Sequence, residues 1–535
     1  MIDVSTQTID AVVVGAGFAG LYMLHRLREA GFSVQGFEIG EDVGGTWYWN
    51  RYPGARCDVE SIDYSFSFDL ELEQEWNWTE RFATQPEIRR YLEHVAERYA
   101  LRPSIQFNTR VEAASWSEDI KRWRVRTDAG DIVEARFLIL ATGSLSAAKA
   151  PDIPGVDSFA GDILHTGSWP EEGYDFTGKQ VGVVGTGSSG IQAIPLIAEQ
   201  AEHLTVFQRT PSFTVPARNA RLSEEYLAGI KQRYRDHRAA VRETAPGVIW
   251  ETKGRPALEV PDEERQAAYE AAWKRGGPGF PATFTDLIID EESNRTAADF
   301  VRSKIREIVQ DPDTATSLCP QGYPIGSKRI AVDTDYYATF NRPNVTLVDL
   351  RKRPLLEVEP SGVHTAGGLV QLHTLVLATG FDAMTGSFLR IDIRNGQGLT
   401  LARKWKAGPR TYLGLMSEGF PNLFLIAGPG SPSVLSNMVL SIEQHVEWVV
   451  DCLVALREAG QERIEPTAEA EDNWVERLNT AARKTLYLSG NSWYLGANVP
   501  GKPRVFMPYI GGVAAYRRIC DRVVGNGYSG FERSR

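Results

Sequence analysis

Two glycine loops are the most chemically specific features of the 535-residue chain. The first, Gly15-Ala-Gly17-Phe18-Ala19-Gly20, follows the apolar run Ala11–Val14 and precedes a helical pattern. In such a setting the first glycine permits a tight turn and the second lets the backbone approach a pyrophosphate. The third lets the helix pack closely, with its N-terminus toward the negative charge. Glu38 closes the next strand-like run, where a carboxylate accepts from ribose hydroxyls, so the ligand should lack a 2'-phosphate. FAD and NAD both satisfy this; the N-terminal position and Gly44-Gly45-Thr46-Trp47 favour FAD.

The second loop, Gly185-Thr186-Gly187-Ser188-Ser189-Gly190, has the same strand-before, helix-after setting, but the following strand ends Phe207-Gln208-Arg209. A carboxylate would repel a 2'-phosphate, whereas a guanidinium can clamp it with two parallel hydrogen bonds. This second site should therefore prefer NADPH to NADH.

Two strand–helix–strand units imply an α/β fold with two Rossmann-like dinucleotide-binding domains. Between Ala220 and Thr314 the chain becomes charged and Ala-rich with apolar residues at helical spacing, as in Glu224–His237 and Glu263–Lys274, which predicts a helical insertion. Ala141-Thr-Gly143 and Ala378-Thr379-Gly380 each follow a strand-like run and are the expected hinges. The expected division is 1–147 for the FAD-binding domain, 148–218 for the NADPH-binding domain and 219–325 for the insertion, then 326–380 back in the NADPH domain and 381–535 back in the FAD domain.

A net charge of −11 without a Lys/Arg block argues against nucleic acid as a partner. The four cysteines, Cys57, Cys319, Cys452 and Cys520, show no C-x-x-C or C-x4-C pair, which removes a zinc site and disulfide-reductase chemistry. No H-E-x-x-H or G-x-S-x-G motif occurs, so neither a metal nor a serine nucleophile is expected. With no apolar run long enough to span a bilayer and no signal-like N-terminus, a cytoplasmic enzyme without a membrane partner is the expectation, and a monomer the expected state.

Between the loops lies Phe159-Ala-Gly161-Asp-Ile-Leu-His165-Thr-Gly-Ser-Trp169-Pro170. It resembles, in every fixed position, the F-x-G-x-x-x-H-x-x-x-W-P fingerprint of type I Baeyer–Villiger monooxygenases. Gly44-Gly45-Thr46-Trp47 with Tyr52-Pro-Gly54 and Asp58 resembles a second fingerprint of that family. The likeness continues through Gly326-Ser-Lys328-Arg329, Ala378–Asp382, Gly428–Pro432 and Ser492–Asn498, nearly the whole chain. Cys57–Ser61 and Ser431–Met438 look closer to the phenylacetone and steroid monooxygenases than to the cyclohexanone enzymes.

The resemblance implies that NADPH reduces FAD, that O2 adds to give a flavin C4a-peroxide, and that a ketone leaves as an ester or lactone. Arg329 matches the catalytic arginine and Asp58 the carboxylate beside it; without the family, Lys328-Arg329 would read as a surface basic pair. Lys328 and Thr210 match further contacts around the 2'-phosphate, and Trp493 a tryptophan on a mobile C-terminal loop. Thr379, Gly380 and Met438 carry over as cofactor contacts, and Val434 and Leu435 as substrate-pocket residues for an aryl, cyclic or steroid-like ketone. His165 reads as a linker residue that couples domain position to turnover. The alternatives are an N-hydroxylating or S-oxidising flavin monooxygenase, whose relatives lack the Trp169-Pro170 ending, and a non-enzymatic nucleotide-binding redox sensor.

Overall fold

The computed structural model describes residues 7–149 and 152–535. Its strands are β1 (Gln7–Val14), β2 (Val34–Phe37), β3 (Ile105–Gln106), β4 (Val111–Ser117), β5 (Arg122–Thr127), β6 (Ile132–Leu140), β7 (Asp162–His165), β8 (Gln180–Val184), β9 (His203–Gln208), β10 (Thr214–Pro216), β11 (Ala331–Asp333), β12 (Val345–Asp349), β13 (Leu355–Glu359), β14 (Gly362–Thr365), β15 (Gly368–Gln371), β16 (Thr374–Leu377), β17 (Asp392–Arg394) and β18 (Leu423–Leu425), with a further short antiparallel pair near the C-terminus. One sheet runs β17-β4-β5-β6-β1-β2-β3, with β18 also paired to β6; a second, all parallel, runs β12-β9-β8-β16-β7.

Ala11, Val12, Val13 and Val14 are all buried, as a central strand covered on both faces requires. Their parity divides the core. Ala11 and Val13 join the cluster under the helix Phe18–Glu29, whereas Val12 and Val14 join the cluster with Val125, Val133 and Trp123 of the antiparallel strands. Val181 and Val183 against Val184 repeat the division in the second sheet.

The helical insertion is present, between β10 and β11, which pair in parallel and so bring its two ends together. That pairing delivers Arg329 two residues before β11. The helix expected over Glu224–His237 is two helices, Glu224–Gln232 and Tyr234–Arg242, meeting at Arg233, whose φ of −123° is not helical. The β4–β5 hairpin and the three-stranded β13-β14-β15 sheet were not anticipated. Their strands are short, with turns at residues 118–121, Pro360-Ser361 and Ala366-Gly367, and none carries the G-x-G-x-x-G loop that marks the nucleotide units. Among the described residues no helix is long and apolar enough to cross a membrane.

The long helix Met438–Glu458 carries a wholly buried histidine, His445, whose Nδ1 accepts from the Ala427 N–H, while its Nε2 has no partner among the described residues. Burial, with the nearby Arg517 charge, lowers its pKa to about 3. A histidine depressed on folding takes up its proton more readily in the unfolded chain. Stability is therefore lost as pH falls from about 6.5 toward 3, with a slope of about 1.4 kcal/mol per unit from this group. His445→Gln should lower the melting temperature at neutral pH yet flatten its dependence between pH 6.5 and 4; parallel wild-type and variant curves would remove histidine from the account.

Candidate active site

Both glycine loops sit at the carboxyl ends of central strands where an open α/β sheet binds ligands. Gly15 has φ +106° and Gly185 φ +112°, conformations that favour glycine. A Cβ at Gly15 would lie 2.6 Å from the Ala141 carbonyl, and one at Gly185 2.4 Å from that of Ala378. At Gly20 and Gly190 it would lie 1.8 and 2.2 Å from the carbonyls of Gly15 and Gly185. The two Ala-Thr-Gly segments are thus the small-residue floors on which the loops rest, a packing reason for their shared sequence.

The helices that follow begin at Phe18 and Ser188 with no side-chain cap at Gly17 or Gly187, unlike those started by Asp69, Ser223, Asp290, Asn437 or Thr467. Their first-turn N–H groups are available to an anion, and a Cβ on Gly187 would meet open space. At the first loop, Gly17 and Gly45 approach so closely that a Cβ on Gly45 would be 2.9 Å from the Gly17 Cα. Ala19 and Phe18 are buried in the helix start, and Thr46 and Trp47 open the short helix Thr46–Trp49. Trp47 Nε1 donates to Tyr64 Oη at 3.2 Å. These features fit a dinucleotide at each loop.

Glu38 is buried and its oxygens accept from the Ala16 and Gly40 N–H groups at 2.7 and 2.9 Å. It fixes the loop with one lone pair on each oxygen, which leaves acceptor capacity that a ribose hydroxyl could use; burial raises its pKa. At the second loop, Gln208 is buried and donates to the Ser317 carbonyl, while Arg209 and Thr210 are exposed. Thr186 donates to the Thr210 carbonyl at 3.1 Å, tying the glycine loop to that strand end. Lys328 Nζ lies 4.2 Å from the Tyr323 ring centroid, and burial together with the Arg209 charge lowers its pKa. Two neighbouring cations without a carboxylate partner among the described residues make a fitting seat for a phosphate dianion.

The remaining residues converge from distant parts of the chain. Arg329 donates through Nε and Nη2 to the two oxygens of Asp58 at 2.6 and 2.7 Å, and through Nη1 to the Val434 carbonyl at 2.7 Å. Their side chains are 31% and 23% exposed. Burial favours the neutral acid at Asp58, but the Arg329 charge and hydrogen bonds prevail and hold its pKa below the ordinary carboxylate value. Burial likewise opposes the charge of Arg329, and Asp58 more than restores it, raising the pKa. Val434, Leu435, Met438 and Trp493 share one apolar cluster with Tyr494, Phe506 and Met507.

Not every expected contact points toward a cofactor. The Tyr52 hydroxyl donates to Gln192 Oε1 at 2.8 Å, across to the helix Ser188–Gln200. Thr379 Oγ1 donates to the Lys149 carbonyl at 3.2 Å and lies 3.3 Å from His165 Nε2, next to Gly380, which has φ +81°. His165 Nδ1 accepts from the Gly167 N–H at 3.0 Å, so Nε2 carries the proton and donates to the same Lys149 carbonyl at 3.2 Å. Burial lowers its pKa, and the ring joins the outgoing linker to the returning one. His165→Ala should slow coupled turnover about five- to tenfold, the scale of one hydrogen bond, without shifting the pH profile; coupled turnover at the wild-type rate would discard the linker role. Two neighbours went unread in the sequence: Tyr494, which faces Arg329 and whose pKa burial raises to about 12, and Gln192. Tyr494 was signalled by its place beside Trp493, but Gln192 by nothing.

Residues 12–262 match the family model for pyridine nucleotide-disulphide oxidoreductase. A Baeyer–Villiger monooxygenase of Pseudooceanicola batsensis is 43% identical over 99% of this chain and 98% of its own. Phenazine N-monooxygenase PhzNO1 of Lysobacter antibioticus is 42% identical over 99% and 98%. The structure of an oxidized steroid monooxygenase bound to NADP superposes with a TM-score of 0.95 at 53% identity, covering 99% of this chain and all of that one. Identity of this order, spread over the full length and joined to two nucleotide cradles and a carboxylate-held arginine, places the chain in the Baeyer–Villiger monooxygenase family of FAD- and NADPH-dependent enzymes.

Proposed function

We propose that this chain converts an aryl, cyclic or steroid-like ketone to an ester or lactone, with Arg329 and Asp58 at the reacting centre. One oxygen atom of O2 enters the bond beside the carbonyl, and the other leaves as water. When bound, NADPH would supply the two electrons and FAD would carry them to O2, the source of the inserted oxygen atom.

The observation that carries this reading is a guanidinium gripped on one edge by Asp58, tethered at Nη1 by the Val434 carbonyl and still partly exposed. Of its five N–H donors three are engaged, which leaves two for an incoming anion. A guanidinium stays charged at any working pH, so it can stabilise negative charge first on the attacking oxygen and then on the former carbonyl oxygen. Asp58 keeps it from turning away. Val434 and Leu435 receive the ketone in an apolar cluster that excludes water, and Met438 and Trp493 of the same cluster contact the bound cofactors. Gly15, Gly17, Gly20, Glu38 and Gly45 hold the FAD; Gly185, Gly187, Ser188, Ser189 and Gly190 hold the NADPH pyrophosphate, and Arg209, Thr210 and Lys328 its 2'-phosphate.

The 53% identity to a steroid monooxygenase supports a bulky ketone. The domain division given from the sequence, a monomeric state and a cytoplasmic setting belong to the same proposal; four buried, unpaired cysteines suit a reducing compartment. The phenazine N-monooxygenase relative favours nitrogen oxygenation as a second reading. The test is a panel of aryl, cyclic and steroid ketones with one nitrogen heteroaromatic, scored for NADPH consumed, peroxide released and product identity. Ester from at least one ketone is expected; NADPH consumption that yields only peroxide, or only N-oxide, overturns the ketone assignment.

A further inference from the structure

Gln192 lies in the second turn of the helix Ser188–Gln200, whose first turn opens the second glycine loop. Its side chain reaches across to the segment that carries Asp58, whose Tyr52 also lies beside Ser189 of the loop. Oε1 accepts from Tyr52 Oη at 2.8 Å, and Nε2 donates to the Arg56 carbonyl at 3.1 Å. Its own backbone carbonyl is so close to Gly54 that a Cβ there would be 2.5 Å away, and Gly54 has φ +81°. One residue therefore grips positions 52, 54 and 56 of a chain whose position 58 holds Arg329 by two hydrogen bonds.

The outer side of this contact is loosely filled. A cleft of about 260 Å³, lined by Gly54, Arg56, Gln192, Pro195, Leu196 and Glu199 among others, opens beside it. Tyr52 and Ala55 are buried on the inner side of the segment, and on its open outer side the two Gln192 hydrogen bonds hold it to the helix. Pro195, inside the helix, lacks the N–H that the Ile191 carbonyl would otherwise receive, so the ladder is also one bond weaker at the turn bearing Gln192.

We propose that Gln192 is a positioning residue that transmits occupancy of the second nucleotide loop to the Asp58–Arg329 pair. It acts through the 52–56 segment and touches neither nucleotide nor ketone. A dinucleotide docked on the first turn of the helix orders that helix, and Gln192 passes the order to the loop that sets the direction of the guanidinium. The inference rests on the proposed NADPH site but not on the identity of the oxygenated substrate.

The test uses the FAD-loaded, full-length protein and two variants: Gln192→Leu, which removes both hydrogen bonds at similar volume, and Gln192→Glu, which keeps an acceptor for Tyr52 but has no donor for the Arg56 carbonyl. Hydrogen exchange is followed in peptides covering 52–58 and 185–190, with and without NADP+. In the wild type NADP+ should slow exchange in both. In Gln192→Leu the protection at 185–190 should persist while that at 52–58 falls at least fivefold, with Gln192→Glu between. With a ketone found to be a substrate, the same variants should release several-fold more peroxide per NADPH, while anaerobic flavin reduction stays within twofold of wild type.

Protection at 52–58 that survives in both variants overturns the proposal, and so does its loss together with that at 185–190, which would mean failed nucleotide binding. If Gln192→Leu does not fold, Gln192→Glu alone decides by the same peptides. Should no ketone be oxygenated, the function proposed above fails while the exchange comparison still reads the coupling.

Discussion

Replacing Arg329 with alanine is expected to lower ester formation about a thousandfold while NADPH oxidation continues and its electrons appear as hydrogen peroxide. The size follows from what the side chain is placed to do. It is the cation held at this site by a bidentate carboxylate, with N–H donors left over, and removal of a single preorganised donor to a developing oxyanion costs two to three orders of magnitude in related chemistry. Arg329→Lys should recover little, because an ammonium cannot match both oxygens of Asp58 and the Val434 carbonyl at once. Asp58→Asn, which keeps the shape but not the charge, should fall between wild type and Arg329→Ala. Because Asp58 is held below the ordinary carboxylate range, it remains ionised through mildly acidic pH, and an acid limb of the rate profile near pH 5 would belong to another group. The decisive measurement is product by chromatography alongside peroxide and NADPH. Full-speed ester formation by Arg329→Ala would end the proposed mechanism.

The second large effect is on nucleotide choice. Arg209→Glu should reduce kcat/KM for NADPH about a hundredfold and leave that for NADH unchanged or improved. One charge-assisted pair is worth about 1.5–3 kcal/mol, and the new carboxylate adds repulsion. Lys328→Ala should show the same selectivity at about tenfold, since its ammonium is a single point charge partly screened by the Tyr323 ring. Lys328, whose pKa is lowered by burial and by Arg209, should regain its ordinary proton affinity when a phosphate arrives, so NADPH binding at alkaline pH should take up protons where NADH binding does not. Calorimetry in buffers of different ionisation enthalpy reads this directly. Equal losses for both nucleotides would show that Arg209 supports the fold and not the phosphate.

The glycine loops and their strands were readable because their constraint is local. A turn with φ near +110° and a helix that touches a strand leave glycine as the residue that fits, whatever the rest of the chain does. The Ala-Thr-Gly segments were seen as hinges, but their role as floors beneath the loops needed both partners in place. The break at Arg233 was hidden because two short amphipathic helices in succession share the apolar spacing of one long helix.

The site divides in the same way. Residue type and spacing determined the two strand–glycine-loop–helix units, the acidic end of one following strand against the basic end of the other, and, through the motifs, the family. The motifs already set Asp58 beside Arg329; only the tertiary structure decided that the two join through both carboxylate oxygens, that the Val434 backbone and not its side chain holds the arginine, and that Tyr52 turns toward Gln192. Those contacts join residues 105 to 271 positions apart, and their partners are backbone carbonyls and single side chains that carry no periodicity. Such meetings are fixed by sheet order and by the pairing of β10 with β11 across the insertion, which appear only when the whole chain has packed.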